Sequence, residues 1–434
     1  MLVAPAAFAQ YWSMRALQFQ DEDPARQSER RRLVVYSAAS LKAHPEIEPV
    51  APITAIKNRL RRTYDRASWQ WLGEFVSEPY TYSISGYSNR GDEAIRVALE
   101  NQLRQSLPPA TRIDEVTWGN LAAAIRSGMI GSETVLMIAG GGYYRFMRNG
   151  DLHPLLIKDL ELFAGLDCPL ISFGAGVNFN IRPDQADRLV PTPAARSLLR
   201  RHLDQLSYCM VRDAFSQALL QECTSRTVAS GADPVLFLEP RPTVAPPGSR
   251  LRVGLNTAFH GPNAASVLRQ WLRALVDLIR SIRSRYDARF TYFVHCEAEY
   301  GIIRLLRDSG IDLEVVDLPA EALANAYAGV DVHICQMMHS SIMSARVGVP
   351  TLVVAYDRKH HSFFELIGQS RYCLSVEDAT VTTLTSRFDE LVASRAILQG
   401  EIVARVEQLR RAHQGQLRDV GKAIDAHLMC SAAV

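Results

Sequence analysis

Short apolar runs alternate with longer amphipathic stretches along most of the 434 residues, and this alternation restricts the possible folds more than any other feature. The run 134–139 has the length of a buried strand and ends in three glycines. The stretch 264–285 instead repeats its apolar residues at helical spacing. Strands that alternate with helices favour parallel sheets joined by right-handed crossovers. We therefore expect an α/β protein with doubly wound sheets.

The pattern is interrupted once, at 238–248, where four prolines and a glycine fall within eleven residues. Such a segment continues neither a helix nor a central strand, so we place a domain linker there. The predicted strands are 81–86, 134–139, 169–174, 207–211, 251–255, 290–294, 313–316, 331–335 and 350–355. The predicted helices are 91–107, one that begins near residue 213, 264–285, 299–309, 339–347, 359–368 and 400–428.

These elements predict a chain divided into five parts. The parts are an extension at 1–78 that packs on the first domain, a first Rossmann-like domain at 79–240, the linker 241–249, a second Rossmann-like domain at 250–398 and a C-terminal helix at 399–434. Two such domains would enclose a cleft at the carboxyl ends of both sheets, where doubly wound folds bind ligands.

Composition excludes several classes of protein. Hydrophobic residues make up 47% of the chain and charged residues 22%, which is typical of a globular protein, and a net charge of +2 gives no sign of nucleic-acid binding. The seven cysteines are scattered without a CxxC pair, which favours reduced thiols in the cytoplasm and disfavours a zinc site. No apolar run is long enough to predict a membrane-spanning helix. The basic run 26–32 is either a solvated surface or a site that docks on the inner face of the membrane or on a partner.

A glycine-rich loop follows the first predicted strand, at 86–94. Asn89 and Asp92 in this loop either cap the next helix or face a polyhydroxyl or anionic ligand. A second such loop, 140–145, follows the strand 134–139. Its glycines, including Gly141 and Gly142, allow close approach of the backbone to a ligand. Tyr143 either stacks on a sugar ring or packs in the core.

Cationic side chains follow three later strands. Arg212 either clamps a carboxylate or phosphate in bidentate fashion or pairs with Asp213 to fix a turn. His339 lies where a strand leads directly into a helix, so it would titrate near neutral pH beside the positive end of that helix. Ser340 and Ser341 add hydroxyls that could bind phosphate oxygens. The next strand ends in Tyr356-Asp-Arg-Lys-His-His361, so Arg358 and Lys359 suit an anionic ligand, unless this loop is only a solvated basic turn.

Taken together, these loops resemble the polysaccharide pyruvyl transferase family over about two-thirds of the chain. The resemblance rests on the order and spacing of short motifs. These are Gly-Asp-Glu-Ala at 91–94, the glycines 140–142, Gly-Ala-Gly at 174–176, Arg212-Asp213 with Ser216, Ala232-Asp233-Pro234, the helix that His339 leads, Gly348-Val-Pro350 and Tyr356–Lys359.

The resemblance implies a fold like that of the GT-B glycosyltransferases and a transferase that moves a pyruvyl group from phosphoenolpyruvate onto two sugar hydroxyls, giving a ketal. It implies His339 as the acid/base. Donor-binding residues would be Arg212, Ser340, Ser341, Arg358 and Lys359, and acceptor-binding residues would be Asn89, Asp92, Gly141, Gly142 and Tyr143. The expected partner is a glycan or lipid-linked saccharide in exopolysaccharide synthesis, with no metal, no cofactor beyond phosphoenolpyruvate as co-substrate, and self-association left open.

One departure from the family pattern affects the choice of donor. Members usually carry Arg two residues before the His, and Met337 stands there in this chain. The strand at 253–260 also lacks an Arg that members often have. Arg358, His360, His361 or His260 would have to replace the lost cation. The alternatives are a different donor, such as a nucleotide sugar, and a glycan-binding protein without catalysis.

Overall fold

The structure is a computed structural model that describes residues 32–38, 89–109, 111–179, 186–246, 248–257, 264–296 and 299–430. The described strands form two large sheets and one short pair. The first sheet contains β1 (Arg32–Ser37), β2 (Arg112–Thr117), β3 (Thr134–Ala139), β5 (Leu170–Ala175), β7 (Leu206–Val211) and β8 (Ala229–Ser230), while β4 (Tyr144–Phe146) pairs with β6 (Val177–Phe179). The second sheet contains β9 (Leu251–Leu255), β10 (Ala288–Phe293), β11 (Glu314–Val316), β12 (Val332–Cys335), β13 (Thr351–Ala355) and β14 (Cys373–Ser375).

Helices connect these strands as crossovers. In the first half they are α1 (Arg90–Ser106), α2 (Leu121–Arg126), α3 (Pro154–Phe163), α4 (Pro193–Gln205) and α5 (Ala214–Gln221). In the second half they are α6 (Ala264–Arg285), α7 (Tyr300–Asp308), α8 (Ala320–Ala326), α9 (Met338–Arg346), α10 (Arg358–Leu366), α11 (Val381–Ala393) and α12 (Arg395–Cys430). Short 3₁₀ turns lie at 234–237, 327–329 and 370–372.

Strand order shows that both sheets are doubly wound. The first sheet runs β2-β1-β3-β5-β7-β8 and the second β11-β10-β9-β12-β13-β14, and their strands pair in parallel. In the second sheet the order of the chain reverses between β9 and β12. A doubly wound sheet binds ligands at the carboxyl ends of the strands at this reversal point. The predicted fold class, an α/β protein with two Rossmann-like sheets, is confirmed.

The predicted boundary of the first domain is wrong at one segment. The sequence pattern places residues 32–37 in an extension that packs on the first domain, but β1 lies between β2 and β3 in the first sheet. Its apolar residues Leu33–Tyr36 are completely or almost completely buried, as the interior of a parallel sheet requires. The first domain therefore includes residues that precede position 79. The strand predicted at 81–86 lies outside the described residues.

Two features hold the domains together. Arg346, at the end of α9, donates hydrogen bonds from Nε to the carbonyl oxygen of Leu238 (2.6 Å) and from Nη1 to that of Ala324 (3.1 Å), so it ties the proline-rich linker to the second domain. The C-terminal helix α12 begins in the second domain and reaches back to the first. There His413 Nε2 lies 2.8 Å from Gln102 Oε1, and Gln416 donates to the carbonyl oxygen of Ser230.

Within the described ranges, every helix is too short or too polar to span a lipid bilayer. Six cysteines are buried free thiols, which agrees with the prediction of reduced cysteines in the core: Cys168, Cys209, Cys223, Cys296, Cys335 and Cys373.

Candidate functional site

His339 lies at the point where the second sheet reverses its order, in the first turn of α9. The helix begins directly after β12 because Met337 has extended backbone angles and serves as its N-cap residue. The amide of Met337 donates to Asn256 Oδ1 at the end of the neighbouring strand β9 (3.3 Å). Asn256 in turn donates to Glu299 Oε2 (3.0 Å). These buried contacts fix the start of α9, and with it the position of the His339 ring.

The His339 ring is held between groups of the first domain. On one side, Nε2 lies 3.5 Å from Oδ2 of Asp233, and neither atom has a hydrogen-bond partner in the described structure. On the other side the ring packs against Gly91 in the first turn of α1. A Cβ added to Gly91 would lie 2.1 Å from Nδ1 of His339, so this contact requires glycine. His339 remains only 8% exposed.

Asp233 is placed to stay ionised. Its Oδ1 accepts a hydrogen bond from the amide of Val235 (3.1 Å), which fixes the carboxylate. Burial would raise the pKa of Asp233, but His339 and the Arg212 guanidinium outweigh burial and hold this pKa below its ordinary value. The site therefore contains a fixed negative charge beside the imidazole.

Arg212 is a buried cation that forms ion pairs with two carboxylates. It follows β7, is 4% exposed, and its Nη1 lies 3.5 Å from Asp233 Oδ2 while its Nε lies 3.8 Å from Asp213 Oδ2, which agrees with the predicted pairing with Asp213. Its Nε and Nη2 have no hydrogen-bond partner in the described structure. A buried polar group without a partner is costly, and a guanidinium in this state is typical of a site that receives a carboxylate or phosphate.

Three further charged side chains share the electric field of this site: Asp92 from α1, Arg145 from β4 and Lys359 from α10. Burial raises the pKa of Asp92, although His339, Arg145 and Lys359 act in the opposite direction. Burial lowers the pKa of Lys359, with Asp357 opposing and Arg212 adding to the effect. Both domains thus contribute cations to one partly desolvated cleft.

Arg145 is not among the predicted site residues, although it is the last residue of the loop 140–145, which contains the predicted residue Tyr143. Its Nε donates to the carbonyl oxygen of Gly142 (3.3 Å), and its guanidinium lies 5.2 Å from the centroid of the Trp118 ring. Burial lowers the pKa of Arg145, opposed first by Asp92. The position of Arg145 after a Gly-Gly-Gly turn at a strand end is the sequence signal that could have identified it.

Three of the predicted acceptor residues, Asn89, Gly141 and Gly142, shape the local backbone. Asn89 caps α1, since its Oδ1 accepts from the amide of Gly91 (2.8 Å), and it therefore helps to place Asp92. Gly141 has a φ of +68°, a backbone conformation that only glycine adopts without strain. It also brings the backbone close to the Trp118 ring. Gly142 lies beside Asn178, whose Oδ1 is buried without a hydrogen-bond partner in the described structure.

Tyr143 does not face the cleft as the sugar-stacking prediction required. It is 4% exposed, its hydroxyl donates to Asp159 Oδ2 (3.2 Å), and its ring packs edge-on against Tyr36. The prediction is wrong because this side chain takes part in the aromatic core of the first domain.

The two serines after His339 also turn inward. Ser340 Oγ lies 2.6 Å from the hydroxyl of Tyr327 and 2.7 Å from Nε2 of His333, and Ser341 Oγ donates to the carbonyl oxygen of Met338 (2.7 Å). Both serines are essentially buried. Their predicted contacts with donor phosphate are replaced by hydrogen bonds that hold the first turn of α9.

Arg358 is likewise committed elsewhere. Its Nε donates to Asp187 of the first domain (2.7 Å), Nη2 donates to Glu365, and the guanidinium packs over Phe215. It links the domains, so the prediction that it binds the donor is not supported by its contacts.

Arg358, His360 and His361 do not replace the Arg that the family usually carries, because each is held by other contacts. Met337 is buried against Tyr356. His360 is fully buried with both ring nitrogens near carbonyl oxygens, and His361 lies beside Cys373 and Ser375. His260 lies outside the described residues. The cations that do meet near His339 are Arg212, Arg145 and Lys359.

The fold and the site together define a class: a two-domain α/β protein with a polar cleft at the carboxyl ends of two parallel sheets. The family model described as polysaccharide pyruvyl transferase matches residues 89–358. The chain belongs to this family and is therefore a transferase. None of the curated proteins compared with the chain matches it.

Two solved structures illustrate the overall similarity. An O-GlcNAc transferase mutant from Thermobaculum terrenum has a TM-score of 0.43 and 12% identity, over 93% of this chain and 69% of that one. An α,α-trehalose-phosphate synthase (UDP-forming) from Burkholderia vietnamiensis has a TM-score of 0.43 and 12% identity, over 93% of this chain and 100% of that one.

Proposed function

We propose that this protein transfers a pyruvyl group from phosphoenolpyruvate to two hydroxyls of a glycan or lipid-linked saccharide, forming a ketal and releasing inorganic phosphate. The observation that supports the proposal is the buried Arg212 guanidinium, which shares an oxygen of Asp233 with His339 and whose Nε and Nη2 make no hydrogen bond in the described structure. Lys359 and Arg145 add positive charge to the same cleft. A donor with both a carboxylate and a phosphate needs this concentration of cations.

The chemistry assigns a role to each group. Arg212 and Lys359 bind the donor anion together with the amides at the start of α9. Protonated His339, with Asp233 as its counter-charge, donates a proton to the methylene carbon of the donor. The resulting oxocarbenium-like centre is attacked by a sugar hydroxyl, and the cations stabilise the departing phosphate.

The acceptor approaches from the first domain. We assign Asn89, Asp92, Gly141 and Gly142 to the acceptor side, because Asn89 caps the helix that carries Asp92 and Arg145, which bonds to Gly142, interacts electrostatically with Asp92. We place the reaction in the cytoplasm, where phosphoenolpyruvate is produced, and assign it to exopolysaccharide synthesis by analogy with the family. Docking of the protein on the inner face of the membrane would bring it to a lipid-linked acceptor.

A nucleotide-sugar donor is the second candidate, because Met337 puts a buried thioether where the family has a cation. Thermal shift separates the two donors. A ligand at about 100 times its dissociation constant stabilises the protein by about 2.7 kcal/mol. We expect phosphoenolpyruvate to raise the melting temperature and a panel of UDP-, GDP- and CMP-sugars to have no effect. A shift with a nucleotide sugar alone would overturn the proposal.

A further inference from the structure

We propose that Asp92 is the second acid/base group of this site, and that its carboxylate takes the proton from the acceptor hydroxyl that first attacks the donor. This inference rests on the proposed function and adds a catalytic role to a residue expected only to bind the acceptor.

Proton balance requires a second group. Pyruvyl ketal formation removes a proton from each of two hydroxyls, adds one proton to the donor methylene, and releases phosphate from the same carbon. His339 gives a proton to the methylene and recovers one from the second hydroxyl. Asp92 takes the proton of the first hydroxyl as its C–O bond forms. It then gives that proton to the phosphate oxygen as the bond from that oxygen to the donor carbon breaks. Both side chains end as they began, and nothing is oxidised or reduced.

Asp92 belongs to the helix turn that packs against the Nδ1 edge of His339, whereas Asp233 lies at the Nε2 edge. Asp92 lies in the first turn of α1, directly after Gly91, and its carboxylate interacts electrostatically with His339. Asp233 follows β8 and lies at the Nε2 edge of the ring.

Asp92 is not used by the helix that carries it. An Asp in the first turn commonly bonds to free amides, but here Asn89 caps α1 through the amide of Gly91 and its carbonyl oxygen accepts from Glu93. Among the described residues, the Asp92 carboxylate makes no hydrogen bond. It is half-buried and remains available to a ligand in the cleft.

The charges around Asp92 support a role in proton transfer. The groups that face it are His339 from α9, Arg145 from β4, Lys359 from α10 and Asp233 after β8. Burial raises the pKa of Asp92, whereas Asp233 has a lowered pKa despite its own burial. When two carboxyl groups in one site have pKa values that are shifted in opposite directions, one group typically exchanges protons while the other stays charged.

The test compares the wild type with Asp92→Asn, Asp92→Glu and the matched control Asp167→Asn on an exposed loop. Phosphoenolpyruvate binding is measured by thermal shift. Turnover is measured as phosphate release with para-nitrophenyl glycosides of galactose, glucose, mannose and N-acetylmannosamine. We expect Asp92→Asn to bind phosphoenolpyruvate at least as well as the wild type and to lose about a hundred- to ten-thousand-fold in kcat. Asp92→Glu should recover part of kcat, with a shifted pH profile, and the control should match the wild type.

Each other outcome overturns a specific statement. If Asp92→Asn keeps its kcat within threefold, Asp92 is not the base, while the proposed function stands. If it loses phosphoenolpyruvate binding together with turnover, its role is to hold the donor site, and the inference fails. If the wild type binds no phosphoenolpyruvate, the proposed function fails and the inference with it. If the wild type binds the donor but releases phosphate with none of the glycosides, neither a sugar hydroxyl as acceptor nor its base is supported.

Discussion

Asp233 and His339 form a contact between the two domains, with Oδ2 of the carboxylate 3.5 Å from Nε2 of the ring. The contact matters because it places a fixed negative charge of the first domain against the imidazole of the second. The fixed charge is secured by Arg212, which lies on the same carboxylate oxygen.

Asp233→Asn should therefore lower kcat and leave the fold intact. Asn keeps an oxygen to accept the bond from the amide of Val235, so the local turn is preserved. The substitution removes the negative charge that faces the imidazole, and about 1.4 kcal/mol of lost stabilisation corresponds to a tenfold loss of rate, so we expect kcat to fall at least about tenfold. Phosphate release at saturating phosphoenolpyruvate measures the effect. An unchanged kcat with an unchanged melting temperature would show that Asp233 does not assist His339.

Arg212→Gln should weaken phosphoenolpyruvate binding, because it removes the buried guanidinium with unpartnered donors. Hydrogen bonds to charged groups contribute about 1.5–3 kcal/mol, so we expect the dissociation constant to rise at least about tenfold, as measured by calorimetry. The matched control is Arg358→Gln, whose guanidinium is occupied by Asp187 and Glu365. Its dissociation constant should stay close to that of the wild type. If affinity for phosphoenolpyruvate falls equally in both variants, binding depends only on the total charge of the cleft and not on Arg212 itself.

Gly91→Ala should separate activity from stability. Alanine favours a helix over glycine by about 1 kcal/mol, but its Cβ would lie 2.1 Å from Nδ1 of His339 and must displace the ring. We expect kcat to fall strongly while the protein stays folded by circular dichroism. Gly131→Ala is the control, since its added Cβ would meet nothing within 4 Å. Wild-type kcat in Gly91→Ala would contradict the close packing of α1 against the ring.

Buried histidines should make the protein sensitive to acid. Burial lowers the pKa of His202 to about 3, and the same cause acts on His333, His360 and His413. The unfolded chain takes up these protons below about pH 6.5, whereas the folded protein does not until about pH 3. The free energy of unfolding should thus be steady above neutral pH and fall as the pH decreases through this range, by about 1.4 kcal/mol per pH unit for each histidine.

His202→Phe isolates one of these histidines. Neither nitrogen of His202 has a hydrogen-bond partner in the described structure, and the ring stacks on Phe163, so an aromatic replacement suits the position. Urea unfolding between pH 7 and pH 5 measures how the free energy of unfolding changes with pH. In the variant this slope should be shallower than in the wild type by the contribution of one histidine, about 1.4 kcal/mol per pH unit. Identical slopes would mean that His202 is protonated in the folded protein as readily as in the unfolded chain.

The sequence predicts where the site lies better than it predicts which atoms face it. The carboxyl ends of parallel strands meet at one edge of a sheet, so His339 after β12 and Lys359 after β13 had to lie near each other. Arg212 follows β7 of the other sheet and joins them through Asp233, whose Oδ2 lies 3.5 Å from both Arg212 Nη1 and His339 Nε2. Helical phase and tertiary partners decide the rest. The hydroxyl of Ser340 turns inward because Tyr327 and His333 lie beneath α9, and no local pattern reveals partners so distant along the chain.

Asp233 was visible in the sequence as part of Ala232-Asp233-Pro234, but its pattern is that of a residue that caps a turn. It performs this role with Oδ1, and only the structure shows that its other oxygen faces His339. β1 was missed for a different reason: its strand-like residues follow a charged run, and the segment after it gave no clear pattern.

The long helix α12 affects how the protein is made. Its buried residues Val420 and Ile424, together with the contact from Gln416 to Ser230, complete the surface of the first domain. During synthesis, the first domain leaves the ribosome long before this helix exists. The face of the first domain that α12 covers is therefore completed only by residues that are translated after the second domain.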